Sequence, residues 1–265
     1  MIHEKLEGIP PIYYLNLDES VDRKDYMESQ FKLLGIQNYT RVSASRYHPS
    51  NFDIWKDDLI FDEILNEKQC LSILRNQLQS IIDWYYSEVS ETCLILEDDL
   101  CFSLINYWNF DWKTMITYLP CNWDCIQFHI IGEGYIQMGF NKRSRYNHGA
   151  TCYMITRTYV EKLMKMHYIG GKFKLYNNYY YDSTWPTYHY QSADFVPYEI
   201  GITYSFPIFI TNYRFKSDRN NEVNQQAKSS DIIVSNWWSN ESQNYSLEDL
   251  FGINKIDRKK LIYKL

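Results

Sequence analysis

The chain has 265 residues, 45% of them hydrophobic, which is enough to bury the core of one large α/β domain. Its formal net charge of -6, with no basic stripe, excludes nucleic acid as an expected partner, because a phosphate backbone demands clustered Lys and Arg. The six cysteines form no C-x-x-C pair, so we expect free thiols in a reducing compartment. No run nears the roughly 20 apolar residues of a membrane span, so we expect no signal or transmembrane segment and a cytoplasmic location.

The first predicted elements are a strand, a turn and a helix. Residues 12–18 form an apolar run that predicts a strand, and Ser20 is placed to cap a helix that ends at Gly35. One stripe of this helix carries Tyr26, Met27, Phe31 and Leu34. Because α/β folds place ligands beyond the carboxyl ends of their strands, we expect the turn at residues 18–23 to face a site.

The most informative motif is the apolar run over residues 94–100, which delivers Glu97, Asp98 and Asp99 to its C-terminal end. A short strand at 39–43, an irregular stretch to residue 62 and a long helix over about 65–86 precede it. Three adjacent acids repel one another, and a divalent cation that bridges to a diphosphate would offset that repulsion. The alternative interpretation is a solvated loop start.

Strands and helices continue to alternate along the rest of the chain. A helix capped by Asp111 comes first, followed by a strand at 124–132 that is closed by Gly132 and a second strand at 149–155. A helix with Thr158 and Glu161 at capping-box spacing and an edge strand at 202–210, interrupted by Pro207, come next. A polar loop at 216–235 and short basic helical turns at 246–265 complete the chain. This alternation predicts an α/β fold with a mostly parallel sheet. We expect one catalytic domain over 1–218 and a polar extension over 219–265 that packs on it.

Aromatic residues make up 17% of the chain, and many lie in the Tyr- and Asn-rich segment 170–191. Aromatic rings are good platforms for sugars, so this segment is a candidate loop over the site. The side chains that could stack on an acceptor are Trp185, Tyr188, His189 and Tyr190. Ordinary packing or a surface excursion is the alternative.

In the order and spacing of its motifs over roughly residues 11–218, the chain resembles glycosyltransferase family 25, which includes bacterial lipopolysaccharide galactosyltransferases and collagen hydroxylysine galactosyltransferases. The matching pieces are residues 14–18 with Ser20, Asp22 and Arg23, residues 94–99, the strand from Trp123 to Gly132, residues 149–155, and Asp194 ahead of Phe206 and Pro207. Asn- and Tyr-rich members occur in giant viruses, so a viral relative in a host cytoplasm is an expectation. The family commonly has a Ser-His pair before the carboxylate strand, and residues 70–75 lack it, which leaves the donor sugar open.

The resemblance implies a GT-A fold, an α/β architecture with a Rossmann-like mixed, mostly parallel sheet flanked by helices. In this fold strand-end acids hold Mn²⁺, or Mg²⁺, against the diphosphate of a UDP-sugar. On this reading Asp99 is the direct metal ligand, and Glu97 and Asp98 reach the metal or the ribose. A cation that bridges both phosphates stabilises the charge that develops on departing UDP. A third protein ligand is usual for the fold, and no histidine is placed clearly enough to assign it.

The turn after the first strand is expected to bind the nucleotide. Asn16, Leu17 and Asp18 would present backbone groups at the strand's carboxyl end, and Arg23 would offer a charge-assisted fork. An exposed helix charge paired with a neighbouring acid is the alternative for Arg23.

The acceptor side rests on two residues. Asp194 aligns with an acid that the family places near the acceptor, so it is the candidate for orienting or deprotonating the acceptor hydroxyl. His148 stands immediately before the strand at 149–155, where it could touch donor sugar or acceptor. A capping or loop aspartate and a structural histidine are the alternatives.

The sequence leaves three classes of function open. The first is a metal-dependent, inverting transferase that moves galactose, glucose or N-acetylhexosamine from UDP to a glycan or a hydroxylysine-type hydroxyl of a glycoprotein. The second is a degenerate transferase that binds UDP-sugar or glycan without chemistry. The third is a metal-dependent phosphohydrolase or nuclease, which the negative charge disfavours. The oligomeric state stays open, with a homodimer as one alternative.

Overall fold

The computed structural model describes residues 1–44, 59–60, 68–175, 192–215, 221–254 and 258–265. Three predicted features lie wholly or partly outside them: most of the irregular stretch that ends at residue 62, the start of the helix at 65–67, and the aromatic segment at 176–191 with Trp185, Tyr188, His189 and Tyr190. Within the described residues the architecture is mixed α/β, a seven-stranded central sheet flanked by helices, as the alternating pattern predicts.

The central sheet defines the layers of the molecule. Its strands, in spatial order, are β2 (Tyr39–Ala44), β1 (Ile12–Leu17), β4 (Thr92–Glu97), β11 (Cys152–Thr156), β6 (Cys125–Gln127), β14 (Thr203–Ser205) and β9 (Asn141–Lys142). The strands β11 and β9 run against their neighbours, and the other five share one direction, so the sheet is mixed and mostly parallel. The carboxyl ends of β1 and β4 therefore lie side by side.

Helices and short strands complete the fold. The helices are α1 (Val21–Leu34), α2 (Lys68–Ser87), α3 (Trp112–Thr117), α4 (Arg157–His167), α5 (Asn221–Asn240) and α6 (Leu247–Leu250), with 3-10 turns at Glu4–Leu6, Ser103–Tyr107, Val196–Tyr198, Ser242–Asn244 and Arg258–Leu261. The short strands pair as β7 (Ile131–Gly132) with β10 (Asn147–His148), β5 (Leu100–Cys101) with β15 (Ile210–Thr211), β8 (Tyr135–Gln137) with β16 (Ile262–Lys264), and β3 (Leu59–Ile60) with β13 (Lys172–Lys174), which also pairs with β12 (Tyr168–Ile169). No helix in the described part of the chain combines the length and apolar composition that crossing a bilayer requires.

The strand β4 carries apolar side chains on both faces, as expected for a strand buried between two helical layers. Leu94 and Leu96 pack in one cluster with Phe31 of α1, while Cys93 and Ile95 pack in a second cluster with α2. Successive side chains of a strand point to opposite faces. Glu97 therefore continues the α2 side of the sheet, and Asp98 continues the α1 side.

Several predicted boundaries need correction. The predicted strand 124–132 is wrong as one element: β6 ends at Gln127, and β7 pairs outside the central sheet. The predicted final strand is not an edge strand, because β14 lies between β6 and β9. The cap of α4 is Thr156, which accepts a hydrogen bond from the Tyr159 N–H at 3.1 Å, rather than Thr158.

The largest error concerns the segment predicted as a polar loop, 216–235. Its larger part belongs to α5, a 20-residue helix. Val234, Trp237 and Trp238 are buried in the same cluster as Leu94, and the Trp238 indole donates to the Pro207 carbonyl at 2.7 Å. The prediction of short helical turns after residue 246 holds for α6 and the turn at Arg258–Leu261, while the chain ends in β16. The division at 218/219 stays a prediction.

Candidate functional site

The carboxyl ends of β1 and β4 are joined by the Asp98 carboxylate. Its Oδ2 accepts a hydrogen bond from the buried Asn16 amide at 2.7 Å, and its Oδ1 accepts one from the Arg23 guanidinium at 2.7 Å. The Asn16 amide also donates to the Ser20 carbonyl at 3.1 Å. Asp98 therefore fixes the turn between β1 and α1, the turn that the sequence predicts to face a ligand.

The outer side of this turn is held by a second ion pair. Asp18 accepts from Arg41 at 2.6 Å and from the Ser43 hydroxyl at 2.8 Å, and these hydrogen bonds, that of Ser43 first, lower the pKa of the Asp18 carboxyl. Arg41 also donates to the Asn16 side-chain oxygen at 2.8 Å. Leu17 is partly exposed beside them. Arg41 carries no functional signal in the sequence, because a lone arginine in a strand is commonly a surface residue.

The three consecutive acids diverge instead of meeting. Glu97 lies on the α2 side, where its carboxylate accepts from the Gln77 amide at 3.3 Å and the Thr151 hydroxyl at 3.2 Å. The Asp98 oxygens are engaged on the α1 side. In the described part of the chain, no three His, Cys, Asp or Glu side chains are grouped so that they could share a metal ion. Strand alternation explains the divergence, since neighbouring side chains leave on opposite faces.

Asp99 is the acid that retains an open oxygen. Its Oδ1 is inaccessible to solvent and has no hydrogen-bond partner among the described residues, although the side chain as a whole is 21% exposed. The Arg23 guanidinium lies 3.7 Å from Oδ2. Burial raises the pKa of Asp99 to about 6, with Asp98 adding to the rise and Arg23 opposing it. Asp99 therefore fits a divalent cation, whereas the oxygens of Glu97 and Asp98 are already held by protein donors.

The raised pKa of Asp99 predicts how stability depends on pH. The folded chain binds the proton more tightly than the unfolded chain, whose Asp99 has a pKa near 3.8, so the stability that this group contributes is complete below about pH 4 and is lost as pH rises through 6. Asp99→Asn should therefore raise the free energy of unfolding by up to about 3 kcal/mol at pH 7.5, and by little at pH 3.5. Urea unfolding in EDTA at both pH values measures the difference. A gain of equal size at both pH values would contradict this origin.

A buried His–Asp pair lies close to Asp99. His129 and Asp231 are 1% and 2% exposed, and the His129 Nε2 lies 3.1 Å from the Asp231 Oδ1. Burial alone lowers the pKa of His129. The charge of Asp231, its hydrogen bond to the ring and the charge of Asp99 outweigh this effect, so the pKa is raised overall. Sequence reasoning missed this pair, because His129 falls in an apolar run and Asp231 in the segment interpreted as a loop.

His148 and Asp194, the two acceptor-side candidates, are brought near each other. The His148 Nε2 lies 3.3 Å from a carboxylate oxygen of Glu133, and its ring packs against that of Phe195, the residue after Asp194. One nitrogen of the buried Arg143 guanidinium donates to both the Asn147 and the Asp194 carbonyls, at 2.6 and 3.2 Å. The loops that carry the two residues are therefore tied together.

Gly149 connects the two sides of the site. The Gln127 amide donates to the carbonyls of His148 and Gly149, each at 2.8 Å. A Cβ placed on Gly149 would lie 3.2 Å from the His129 Nδ1, and the backbone φ of Gly149 is +94°, which favours glycine. The missing side chain therefore lets the backbone at residue 149 pack closely against the His129 ring.

The charge at this end of the sheet is negative. Among the described residues, the charged groups that act on one another around Asp99 are four carboxylates, one guanidinium and one imidazole: Glu97, Asp98, Asp99 and Asp231 with Arg23 and His129. The balance stays negative even when the imidazole is protonated. A diphosphate bound at this point would therefore need an additional cation.

Comparisons with known proteins give only distant matches. No protein-family model matches the chain, and no curated protein matches it significantly. Among solved structures, the inositol-1-phosphate CTP transferase from T. maritima is 8% identical with a TM-score of 0.35, over 83% of this chain and 95% of that one. HddC from Yersinia pseudotuberculosis is 13% identical with a TM-score of 0.35, over 76% of this chain and 92% of that one. The complex of HddC with GMP-PN is 13% identical with a TM-score of 0.34, over 84% of this chain and 98% of that one. Likeness at this level carries no functional argument, and the resemblance to glycosyltransferase family 25 stays a prediction.

Proposed function

We propose that the chain is a metal-dependent glycosyltransferase that moves a hexose from a UDP-sugar to a glycan or a hydroxylysine-type hydroxyl. The observation that carries the proposal is the buried Oδ1 of Asp99 at the end of β4, which has no hydrogen-bond partner among the described residues and lies beside Arg23 in surroundings of net negative charge. Such surroundings accept a diphosphate only together with a cation. When bound, a divalent cation supplies Lewis-acid stabilisation of the departing UDP.

The residues around Asp99 suit the binding of a nucleotide diphosphate. Arg23 is held between Asp98 and Asp99 and lies 5.3 Å from the Phe215 ring centroid, so its guanidinium is positioned before any ligand arrives. The turn formed by Asn16, Leu17 and Asp18 offers backbone groups at the same strand end. A guanidinium fixed in this way loses little freedom when it binds a phosphate oxygen.

The acceptor hydroxyl is assigned to the side of Asp194 and His148. In a single in-line displacement the acceptor approaches from the face opposite UDP, and a base within hydrogen-bond reach removes its proton. Asp194 is the proposed base, and His148 contacts donor sugar or acceptor. Arg143 supports both assignments, because its one guanidinium anchors both loops.

Substituting Asp194 by Asn tests the proposed base. We expect kcat to fall by about 100-fold, because proton removal contributes on this scale, while UDP affinity stays unchanged. The matched control is Glu199→Gln, which removes an exposed carboxylate 3.4 Å from the same Arg143 and should leave kcat unchanged. An unchanged kcat in the Asn variant would remove Asp194 from the mechanism.

A second candidate is a protein that binds UDP-sugar or glycan without turnover. Two observations favour it: both oxygens of Asp98 are occupied by protein donors, and the family's Ser-His pair is absent from residues 70–75. The acceptor, the oligomeric state and the cytoplasmic location stay predictions under either candidate.

Measurement of UDP release separates the two candidates. The purified chain is assayed with UDP-galactose, UDP-glucose and a UDP-N-acetylhexosamine, with sugar and hydroxylysine acceptors, in Mn²⁺ and in EDTA. A transferase releases UDP above blank only with Mn²⁺ and an acceptor. Thermal stabilisation by UDP with no release would identify the binding protein and reject the transferase.

A further inference from the structure

We propose that the His129 Nδ1 is a ligand of the divalent cation placed at Asp99, and that Asp231 positions the imidazole for this role. The inference rests on the proposed function, which supplies the cation. It assigns the second protein ligand that the sequence leaves open, and it gives Asp231 a positioning role.

The hydrogen-bond pattern of His129 is that of a metal-binding imidazole. The Nε2 lies 3.1 Å from the Asp231 Oδ1, so in the neutral ring the Nε2–H donates to the carboxylate and the lone pair is on Nδ1. Histidines that bind metals almost always donate their other ring N–H to a carboxylate or carbonyl in this way. The Nδ1 is buried and meets no hydrogen-bond partner in the part of the chain that the structure describes.

The carboxylate of Asp231 is itself anchored. Its Oδ2 accepts from both the backbone N–H and the hydroxyl of Thr211, at 3.1 Å for the former. With Oδ1 facing His129, both of its oxygens are engaged by the protein. Asp231 is therefore set to orient the imidazole and has no open oxygen for the metal.

Two consecutive residues hold His129 and Asp99 in one neighbourhood. Thr211 binds Asp231, and the next residue, Asn212, donates its backbone N–H to the Asp99 carbonyl at 2.7 Å. Thr211 also pairs with Leu100, the residue after Asp99, in the β5–β15 ladder. Two unpartnered buried atoms, the Asp99 Oδ1 and the His129 Nδ1, thus lie at the same end of the sheet, each with a free lone pair.

A cation explains these atoms better than an anion does. The surrounding carboxylates repel a lone phosphate and attract a metal ion. Mn²⁺ and Mg²⁺ at nucleotide sites use one or two protein ligands and complete their shell with phosphate oxygens and water. A two-residue site at Asp99 and His129 therefore agrees with the absence of a three-residue cluster among the described residues.

The test is electron spin-echo modulation spectroscopy of Mn²⁺ bound with UDP to the full chain. A coordinated imidazole gives ¹⁴N modulation, and labelling the wild-type protein with ¹⁵N-histidine replaces that pattern, so a histidine ligand is detected without any substitution. His129→Gln should abolish the modulation and weaken Mn²⁺ binding by at least about tenfold. The glutamine amide can reach the Nε2 position and keep the hydrogen bond to Asp231, but it places no metal-binding atom at the Nδ1 position.

Two further variants complete the design. Asp231→Asn should weaken Mn²⁺ binding by about 10–100-fold and retain the modulation, as expected of a positioning residue. His3→Gln is the control and should change neither the modulation nor Mn²⁺ binding. The His3 backbone N–H donates to the Leu34 carbonyl at the C-terminal end of α1, about 16 Å along the helix from Arg23.

The outcomes separate this inference from the proposed function. A complex that binds Mn²⁺ and UDP but shows no histidine coupling, or that keeps the coupling in His129→Gln, overturns the ligand assignment and leaves the proposed function standing. A chain that does not bind Mn²⁺ in the presence of UDP overturns both.

Discussion

Replacing Asp99 by Asn is expected to lower Mn²⁺-dependent transfer from a UDP-sugar by at least about 1,000-fold. The amide keeps the shape of the carboxylate but removes the charge that holds the cation, and a bound cation is worth several kcal/mol of transition-state stabilisation. The buried Oδ1 has no second role to lose, because it accepts no hydrogen bond from the described residues. The measurement is steady-state UDP release with the donor that the wild-type chain uses best.

The matched control for this variant is Asp25→Asn, which removes the same charge from an exposed position on α1. It should leave turnover unchanged. Mn²⁺-dependent turnover at the wild-type rate in Asp99→Asn would mean that the cation is held elsewhere or is not needed.

Asp98→Ala is expected to give the largest loss of stability at this end of the sheet, about 3–5 kcal/mol in the free energy of unfolding. Asp98 accepts from both Arg23 and Asn16 at 2.7 Å, and its removal takes the hydrogen-bonded carboxylate from a mostly buried guanidinium and one of two acceptors from a buried amide. Urea unfolding at pH 7 measures the loss. The double variant Asp98→Ala, Arg23→Met should recover part of it, since the buried guanidinium that lost its hydrogen-bonded carboxylate is then absent.

The control for Asp98 lies at the same strand end. Asp18 also pairs with an arginine, Arg41 at 2.6 Å, but its side chain is 68% exposed and water screens the pair. Asp18→Ala should therefore change stability little. Equal losses in the two variants would contradict the view that burial, and not the ion pair as such, makes Asp98 structurally important.

The elements that the sequence predicts well are those with a strong local pattern. The apolar runs of β1 and β4, the glycine that ends α1 in the left-handed conformation and the helix cap of Asp111 are all where the pattern places them. Their alternation also predicts the mostly parallel sheet. The separation of Glu97 from Asp98 follows from the same period of two that identifies the strand.

The elements that the sequence predicts poorly depend on tertiary contacts. The composition of α5 is polar, but Ser230, Val234, Trp237 and Trp238 lie on one face of the helix. This face is buried only when the helix packs on the core. The strand after Asp124 is interrupted because the backbone N–H groups of Phe128 and His129 both donate to the Cys152 carbonyl, at 2.9 and 3.3 Å. No local pattern encodes either feature.

The pairing of His129 with Asp231 shows the limit most clearly. The two residues are 102 positions apart, and they meet only because α5 packs against the loop that follows β6. A histidine inside an apolar run and an aspartate inside a polar segment carry no signal of each other. Their contact had to come from the structure, and it supplies the candidate ligand that the sequence left unassigned.

The most direct test of the central claim, a UDP site that requires a cation at Asp99, is a thermal-shift titration of the purified chain. UDP is added with Mn²⁺ and, separately, with EDTA, to the wild type and to Asp99→Asn. We predict that Tm rises only when UDP and Mn²⁺ are both present, and only in the wild type. A rise of the same size in EDTA or in Asp99→Asn, or no rise with any UDP compound, would contradict the claim.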